Sequence, residues 1–179
     1  VELELDGLGM PGSRFEVARL RRADAAGAPV DGECWAFDAT GIDDVAFLVS
    51  TNPGEPPRPL VRVASGGETA RLMLALKAIL TAADQVPCLI FDEIDAGIGG
   101  RIGAVVGRKL WGLADRHQVL CVTHLPQVAA FGDTHLHVRK SVVEGRTATE
   151  VVRMDTPARV DELTSMLGTD TPVAHQSAE

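Results

Sequence analysis

The sequence predicts an α/β fold, with a parallel β-sheet core, flanking helices and a β-rich N-terminal segment. Two observations carry this reading. Cys88-Leu89-Ile90-Phe91 and Val119-Leu120-Cys121-Val122-Thr123 are apolar runs of strand length. Between them Ile102, Val105, Val106, Leu110 and Leu113 recur at helical spacing. Strand, helix, strand over this length is a βαβ unit, which implies parallel strands and a right-handed crossover.

The elements follow in chain order. Residues 1–62 read as a β-rich, irregular segment, and residues 63–179 as the α/β lobe. Val1-Glu2-Leu3-Glu4-Leu5 starts in mid-pattern without an initiator Met, so the numbering is expected to begin inside a longer natural chain. Phe15 to Leu20 alternates like a half-exposed strand, and Val45 to Ser50 is a second strand candidate. Arg21 to Asp31 is charged, Ala-rich and turn-forming, and reads as a loop. Residues 52–59 hold four prolines in eight and read as a surface loop without regular structure. Thr69 to Ala83 is composed of good helix formers and is apolar nearly all round. The apolar run 88–91 is taken as a buried strand. Pro126 suits a first helical turn, giving a short helix to Phe131. Runs 134–139 and 147–153 alternate as a hairpin around Glu144-Gly145-Arg146, and a helix near 157–167 closes the lobe.

Composition narrows the function classes. The chain has 179 residues, 45% apolar and 23% charged, enough for one domain with a sizeable core. Its net charge of −8 argues against this segment being the main electrostatic footprint on nucleic acid or an anionic membrane. Cys34, Cys88 and Cys121 are too few and too widely spaced for a disulfide framework. Cys88 and Cys121 fall in apolar runs and read as buried thiols in a reducing cytoplasm. No apolar stretch is long enough to span a bilayer.

Three elements carry chemistry. In the first, Ser65 and Glu68 fit a capping box at the start of the helix near Thr69. Capping does not explain Gly66 and Gly67, each of which costs a helix about 1 kcal/mol relative to Ala. Bare backbone N–H groups at a helix N-terminus let an anion approach closely, so phosphate binding is the functional reading. The second element is Asp92-Glu93 at the end of the first apolar strand. Asp92 could hold Mg²⁺ directly or through water, and Glu93 could orient and deprotonate an attacking water. The bland alternative is a pair of solvated acids capping an edge. The third is His124, which stands at the carboxyl end of the second strand, where open α/β sheets bind ligands. An imidazole there can donate to a terminal phosphate oxygen, although a lone His is more often merely exposed. Between the acids and His124, the glycines of Asp95-Ala96-Gly97-Ile98-Gly99-Gly100 mark a tightly turned loop. Cys121 and His124, or His135 and His137, lack a second pair at zinc-like spacing.

Taken in order, Ala64-Ser65-Gly66-Gly67-Glu68, Cys88 to Asp95, the glycine loop and Leu120-Cys121-Val122-Thr123-His124-Leu125-Pro126 resemble the C-terminal half of an ABC-type ATPase head. The segments Ser50 to Leu60, Ser65 to Lys77 and Cys121 to Asp133 are similar to the bacterial DNA-repair members of its SMC-like group. The resemblance implies a signature motif at 64–68, a Walker B strand at 88–93, a D-loop at Gly97-Ile98-Gly99 and a switch histidine at His124. It implies ATP and Mg²⁺ as ligands, and Asp92 as the metal residue, through water. It further implies Glu93 and His124 as catalytic residues, with Ser65, Gly66, Gly67 and Glu68 binding nucleotide held by a second head. Ala64 and Glu68 replace the Leu and Gln usual elsewhere, as in SMC-like members, and the D-loop lacks its usual acid. Arg71 matches an arginine of SMC-like signature helices.

No G-x-x-x-x-G-K-[ST] loop occurs, so the cradle for the β- and γ-phosphates is missing. The resemblance therefore implies partnership with an N-terminal Walker A half, with a second head and with DNA, in the cytoplasm near the nucleoid. Residues 1–62 would lead from a coiled coil into the head, and the fragment alone would be inactive. The rival readings are a transporter nucleotide-binding domain and a non-enzymatic module of the same shape.

Overall fold

The computed structural model describes residues 1–62, 65–143 and 146–168. The chain opens with a short helix, α1 (Glu2–Gly7), inside the segment expected to be β-rich and irregular. Helical geometry wins because it places Leu5 and the following Leu8 into the core, both fully buried. Glu4 also reaches Lys109 from α1, which ties the beginning of the chain to a helix 105 positions away.

Strands β1 (Arg14–Leu20) and β4 (Asp44–Ser50) pair antiparallel, matching Phe15 with Val49 and Val17 with Phe47. Residues read as a loop between them instead form β2 (Ala23–Val30), paired with β3 (Glu33–Trp35) through a register shift between Ala23 and Ala28. The turn is Asp31-Gly32, both at positive φ (53° and 85°). Asp-Gly is the residue pair that tolerates a tight hairpin turn. The proline-rich stretch is irregular up to Pro57. Arg58–Pro59 then forms a two-residue strand, β5, on the outer edge of β4, where proline's missing N–H is tolerated.

Helix α2 (Gly66–Leu80) starts three residues before the expected Thr69. Ser65 caps it, its hydroxyl accepting from the Glu68 N–H at 3.4 Å. The helix buries Leu72, Leu74, Ala75 and Leu76. Truncating a buried leucine of this kind to Ala costs about 2–5 kcal/mol. Lys77 and Asp84 pair where α2 gives way to the next strand, and the Lys77 hydrogen bond holds the Asp84 carboxyl below its ordinary range.

Strands β6 (Cys88–Phe91) and β7 (Gln118–Cys121) run parallel in register, joined by α3 (Gly100–Leu113), as the βαβ reading requires. Buried His117 braces the base of this unit, with Nδ1 2.6 Å from the Val86 carbonyl and Nε2 3.2 Å from the Thr81 hydroxyl. A carbonyl only accepts, so Nδ1 carries the proton.

The sheet is covered on one side only. Leu89 and Phe91 face the core, while Ile90 on the opposite face is 72% exposed and Val122 62%. The expectation of a fully buried strand is therefore corrected to a half-buried one. Cys88 is exposed for the same reason and Cys121 is only half-buried, so the buried-thiol reading is corrected for both; partial burial still pushes the Cys121 thiol up to about 12.

A short helix, α4 (Pro126–Ala129), follows β7. Strands β8 (Leu136–Val143) and β9 (Arg146–Arg153) form the expected hairpin, whose turn at Glu144-Gly145 lies outside the described residues. Helix α5 (Thr156–Met166) is capped by Asp155 and tied to α4 by Arg159, which donates to the carbonyls of Ala129 and Ala130. One core runs through α1, β4, α2, β6, α3 and α4.

Helix α3 meets α4 through Gly107, where a Cβ would lie 2.5 Å from the Phe131 ring and 3.0 Å from the Gln127 carbonyl. Gly112 in the same helix faces open space. Gly112→Ala is expected to stabilise the fold by up to about 1 kcal/mol. Gly107→Ala is expected to lower stability by about 1–3 kcal/mol despite the same gain in propensity. Thermal unfolding of the two variants checks the contrast.

Candidate functional site at the sheet edge

The segments singled out in the sequence meet at one edge of the β6–β7 sheet. Strand β6 ends at Phe91, leaving Asp92 and Glu93 exposed beyond it. The Glu93 N–H bonds the Asp92 carboxylate at 2.9 Å, and Glu93 takes a left-handed backbone at φ 56°. That conformation is uncommon outside glycine, and here it turns the chain sharply into the 93–96 turn, closed by the Ala96 N–H to the Glu93 carbonyl at 2.9 Å.

The N-terminus of α2 packs directly on this turn. A Cβ on Gly67 would come within 3.0 Å of the Glu93 carbonyl oxygen and the Ala96 methyl. Close approach of α2 to the turn thus accounts for Gly67, which is buried, independently of any anion. Gly66 remains exposed, with the Glu93 carboxylate lying over it, 2.3 Å from where a Cβ would stand. Ser65, Gly66, Thr69, Ala70, Met73 and Asp92 are among the residues lining a groove of about 490 Å³ between α2 and β6. Glu68 is partly buried, and its backbone N–H serves the Ser65 cap. Ala64 lies outside the described residues.

Arg71, one turn further along α2, is 6% exposed. Its guanidinium donates to the Ile94 carbonyl at 3.3 Å and the Ala96 carbonyl at 2.9 Å, while Nε has no partner. Burial pushes its pKa down, partly offset by Glu68. Arg71 is thus a buried tie between α2 and the turn, not a solvated helix residue.

Asp95 sits between those two carbonyls and is 3% exposed. Its Oδ2 accepts from the Thr123 hydroxyl at 2.5 Å, the His124 N–H at 2.8 Å and the Leu125 N–H at 3.2 Å. The His124 Nδ1 lies 3.1 Å from the same oxygen, and the imidazole is otherwise 73% exposed. Burial alone would raise the Asp95 pKa, but the Thr123 hydroxyl, the His124 N–H and the nearby imidazole together hold it below the ordinary carboxylate range. Gly97, Ile98 and Gly99 form the rest of the turn into α3, with Gly97 and Gly99 exposed and Ile98 partly buried.

The structure thus gathers Ser65, Gly66, Asp92 and Glu93 on one side and His124 on the other. Asp95, which the sequence marked only as part of a glycine loop, joins the two. Its spacing three residues beyond Asp92, past a buried Ile94, was the available signal. Among the described residues no cluster of three His, Cys, Asp or Glu side chains is arranged to hold a metal. His135 and His137 make no such cluster: Nδ1 of His137 lies 3.0 Å from a Glu162 carboxylate oxygen, and burial lowers the pKa of His135.

Helices flanking a parallel sheet, with the Ser65–Glu68 turn, the paired acids and the histidine at one edge, give the chain the fold of the C-terminal lobe of an ABC-type, SMC-like head. Solved SMC heads share the fold. One chain from work on ATP-driven dimerization and DNA-stimulated activation of SMC ATPases superposes with a TM-score of 0.50 at 16% identity, over 95% of this chain and 90% of its own. The Smc head of Pyrococcus furiosus, bound to the C-terminal domain of ScpA, gives 0.53 at 19% identity over 90% of this chain and 35% of its own. Within that class the chain is a homologue of the DNA repair protein RecN. It is 43% identical to RecN of Treponema pallidum over 96% of its length, and 41% identical to that of Streptomyces coelicolor over 100%. RecN of Xylella fastidiosa is 51% identical over 72% of the chain. The chain spans less than a third of these relatives, 29%, 32% and 23% of their lengths respectively. No family model matches it.

Removing the charge from Arg71 tests how the edge is held. Arg71→Met keeps an apolar stem but leaves the Ile94 and Ala96 carbonyls without their donor, for an expected loss of about 2 kcal/mol. Chemical denaturation measures it, with Arg71→Lys expected to recover part.

Proposed function

We propose that this chain is the C-terminal part of an SMC-like head that hydrolyses ATP to ADP and phosphate in a head-to-head dimer during DNA double-strand break repair. The observation that carries the reading is the convergence of Gly66, Asp92, Glu93 and His124 on one sheet edge, in a homologue of RecN. The rest of the head, including the Walker A half, would come from sequence outside this segment, with residues 1–62 leading in from a coiled coil. DNA and a second head are the proposed partners, and the cytoplasm, near the nucleoid, the proposed setting. No helix among the described residues is long and apolar enough to cross a membrane.

The donor set fits Mg²⁺ and phosphate. Asp92 is an exposed hard-oxygen ligand beside a groove opening at a helix N-terminus, and Mg²⁺ usually takes only one or two carboxylates, completing its shell with water and phosphate oxygens. When bound, the ion would neutralise phosphate charge. Asp92 would hold it, directly or through water. Glu93 would orient the attacking water and take its proton, and His124 would face the terminal phosphate. Ser65, Gly66, Gly67 and Glu68 would present the α2 N-terminus to nucleotide on the opposite head, with Gly97, Ile98 and Gly99 near the junction.

In the full-length protein, Glu93→Gln is expected to bind ATP normally, lose turnover by about 10²–10⁴-fold and accumulate ATP-dependent dimers. Steady-state hydrolysis and size-exclusion chromatography read the two effects, and wild-type turnover by the variant would remove Glu93 as base. Residues 1–179 alone are expected to show no turnover in the same assay.

A further inference from the structure

We propose that Asp95 is a positioning residue for His124: it fixes the imidazole as the Nδ1–H tautomer and so sets which nitrogen faces the site. This deepens the proposed function and rests on it. The argument begins with the number of donors. Oδ2 of Asp95 receives a hydroxyl and two backbone N–H groups from Thr123, His124 and Leu125, all within 3.2 Å. The Thr123 oxygen also accepts the Leu125 N–H at 3.1 Å, so its own proton is directed to Asp95. Surrounded by donors, the carboxylate is ionised and can only accept. A lone pair on Nδ1 would face this negative oxygen at 3.1 Å, so the protonated form of that nitrogen is favoured. Fixing a tautomer through the second ring nitrogen is a general use of a buried carboxylate.

The position of Asp95 is itself held from behind. Arg71 bonds the carbonyls of Ile94 and Ala96, on either side of Asp95, so neither peptide can rotate without breaking a buried bond. One carboxylate thus links the 93–96 turn to the 123–125 loop.

A consequence follows for the proton on the other ring nitrogen. In a neutral Nδ1–H imidazole, Nε2 has a lone pair and accepts hydrogen bonds. It donates to a phosphate oxygen only in the doubly protonated ring, whose charge Asp95 then balances. The general expectation that His124 donates to phosphate narrows to that form.

The test uses the full-length protein and compares Asp95→Asn, His124→Ala and the double variant. Asp95→Asn is expected to lower kcat by about 10–100-fold, with KM for ATP little changed. The double variant is expected to lose no more than His124→Ala alone, because Asp95 acts through the ring. Losses that multiply, or wild-type kcat in Asp95→Asn, overturn the proposal. Should Asp95→Asn fail to fold, ¹⁵N-imidazole spectra of the wild-type protein at about pH 8, where histidine is ordinarily neutral, decide it. A His124 signal protonated at Nδ1 supports the proposal, and one protonated at Nε2 overturns it. Absence of ATP turnover by the full-length wild-type protein would instead strike at the ATPase reading, and the spectrum would still report on the tautomer.

Discussion

The seating of α2 on the 93–96 turn is the contact on which the site depends. Gly67 permits it and Arg71 secures it. A buried cation is an expensive way to fill space, since desolvation disfavours its charge and here leaves Nε unpartnered. What the cation contributes is location. Its two bonds fasten a helix that begins at one segment of the sheet edge to the loop that carries the acids.

The three carboxylates of the edge illustrate how burial divides labour. Asp92 and Glu93 project into solvent with few constraints, as groups that meet a ligand should. Asp95 is enclosed, and its charge is satisfied by hydrogen bonds from the 123–125 loop. Moving Asp95 would strip a buried charge of its donors, a large penalty. The edge is therefore open to solvent at its tips and firmly held at its base.

Periodicity made the α/β lobe readable because its strands and helices are locally consistent. The runs at 88–91, 100–113 and 118–121 carry apolar residues in the pattern that their final elements bury. The N-terminal third was less legible. Strand β2 is rich in Ala and holds a Gly and a Pro, and exists because it pairs with Glu33–Trp35 across an Asp-Gly turn, a tertiary fact that composition conceals. Helix α1 is only six residues long and buries Leu5 while leaving Leu3 exposed, too little pattern to read in one dimension. Of the site, the residue types and their order were visible, but their linkage was not. Arg71 and Asp95 look like ordinary charged residues in one dimension, and their roles arise from backbone carbonyls and amides that no motif records. The half-open sheet was also invisible, because four consecutive apolar residues look the same whether one face is covered or two.

The tie between Glu4 and Lys109, with Leu5 and Leu8 set in the core, has a bearing on how the chain acquires its shape. The Glu4–Lys109 pair can form only after α3 exists, 105 residues later. Closing a loop of that length costs about 4 kcal/mol in chain entropy. During synthesis this one pairing must therefore wait until α3 has emerged, while the packing of α1 on α2, in the core that Leu5 and Leu8 share, involves chain made earlier.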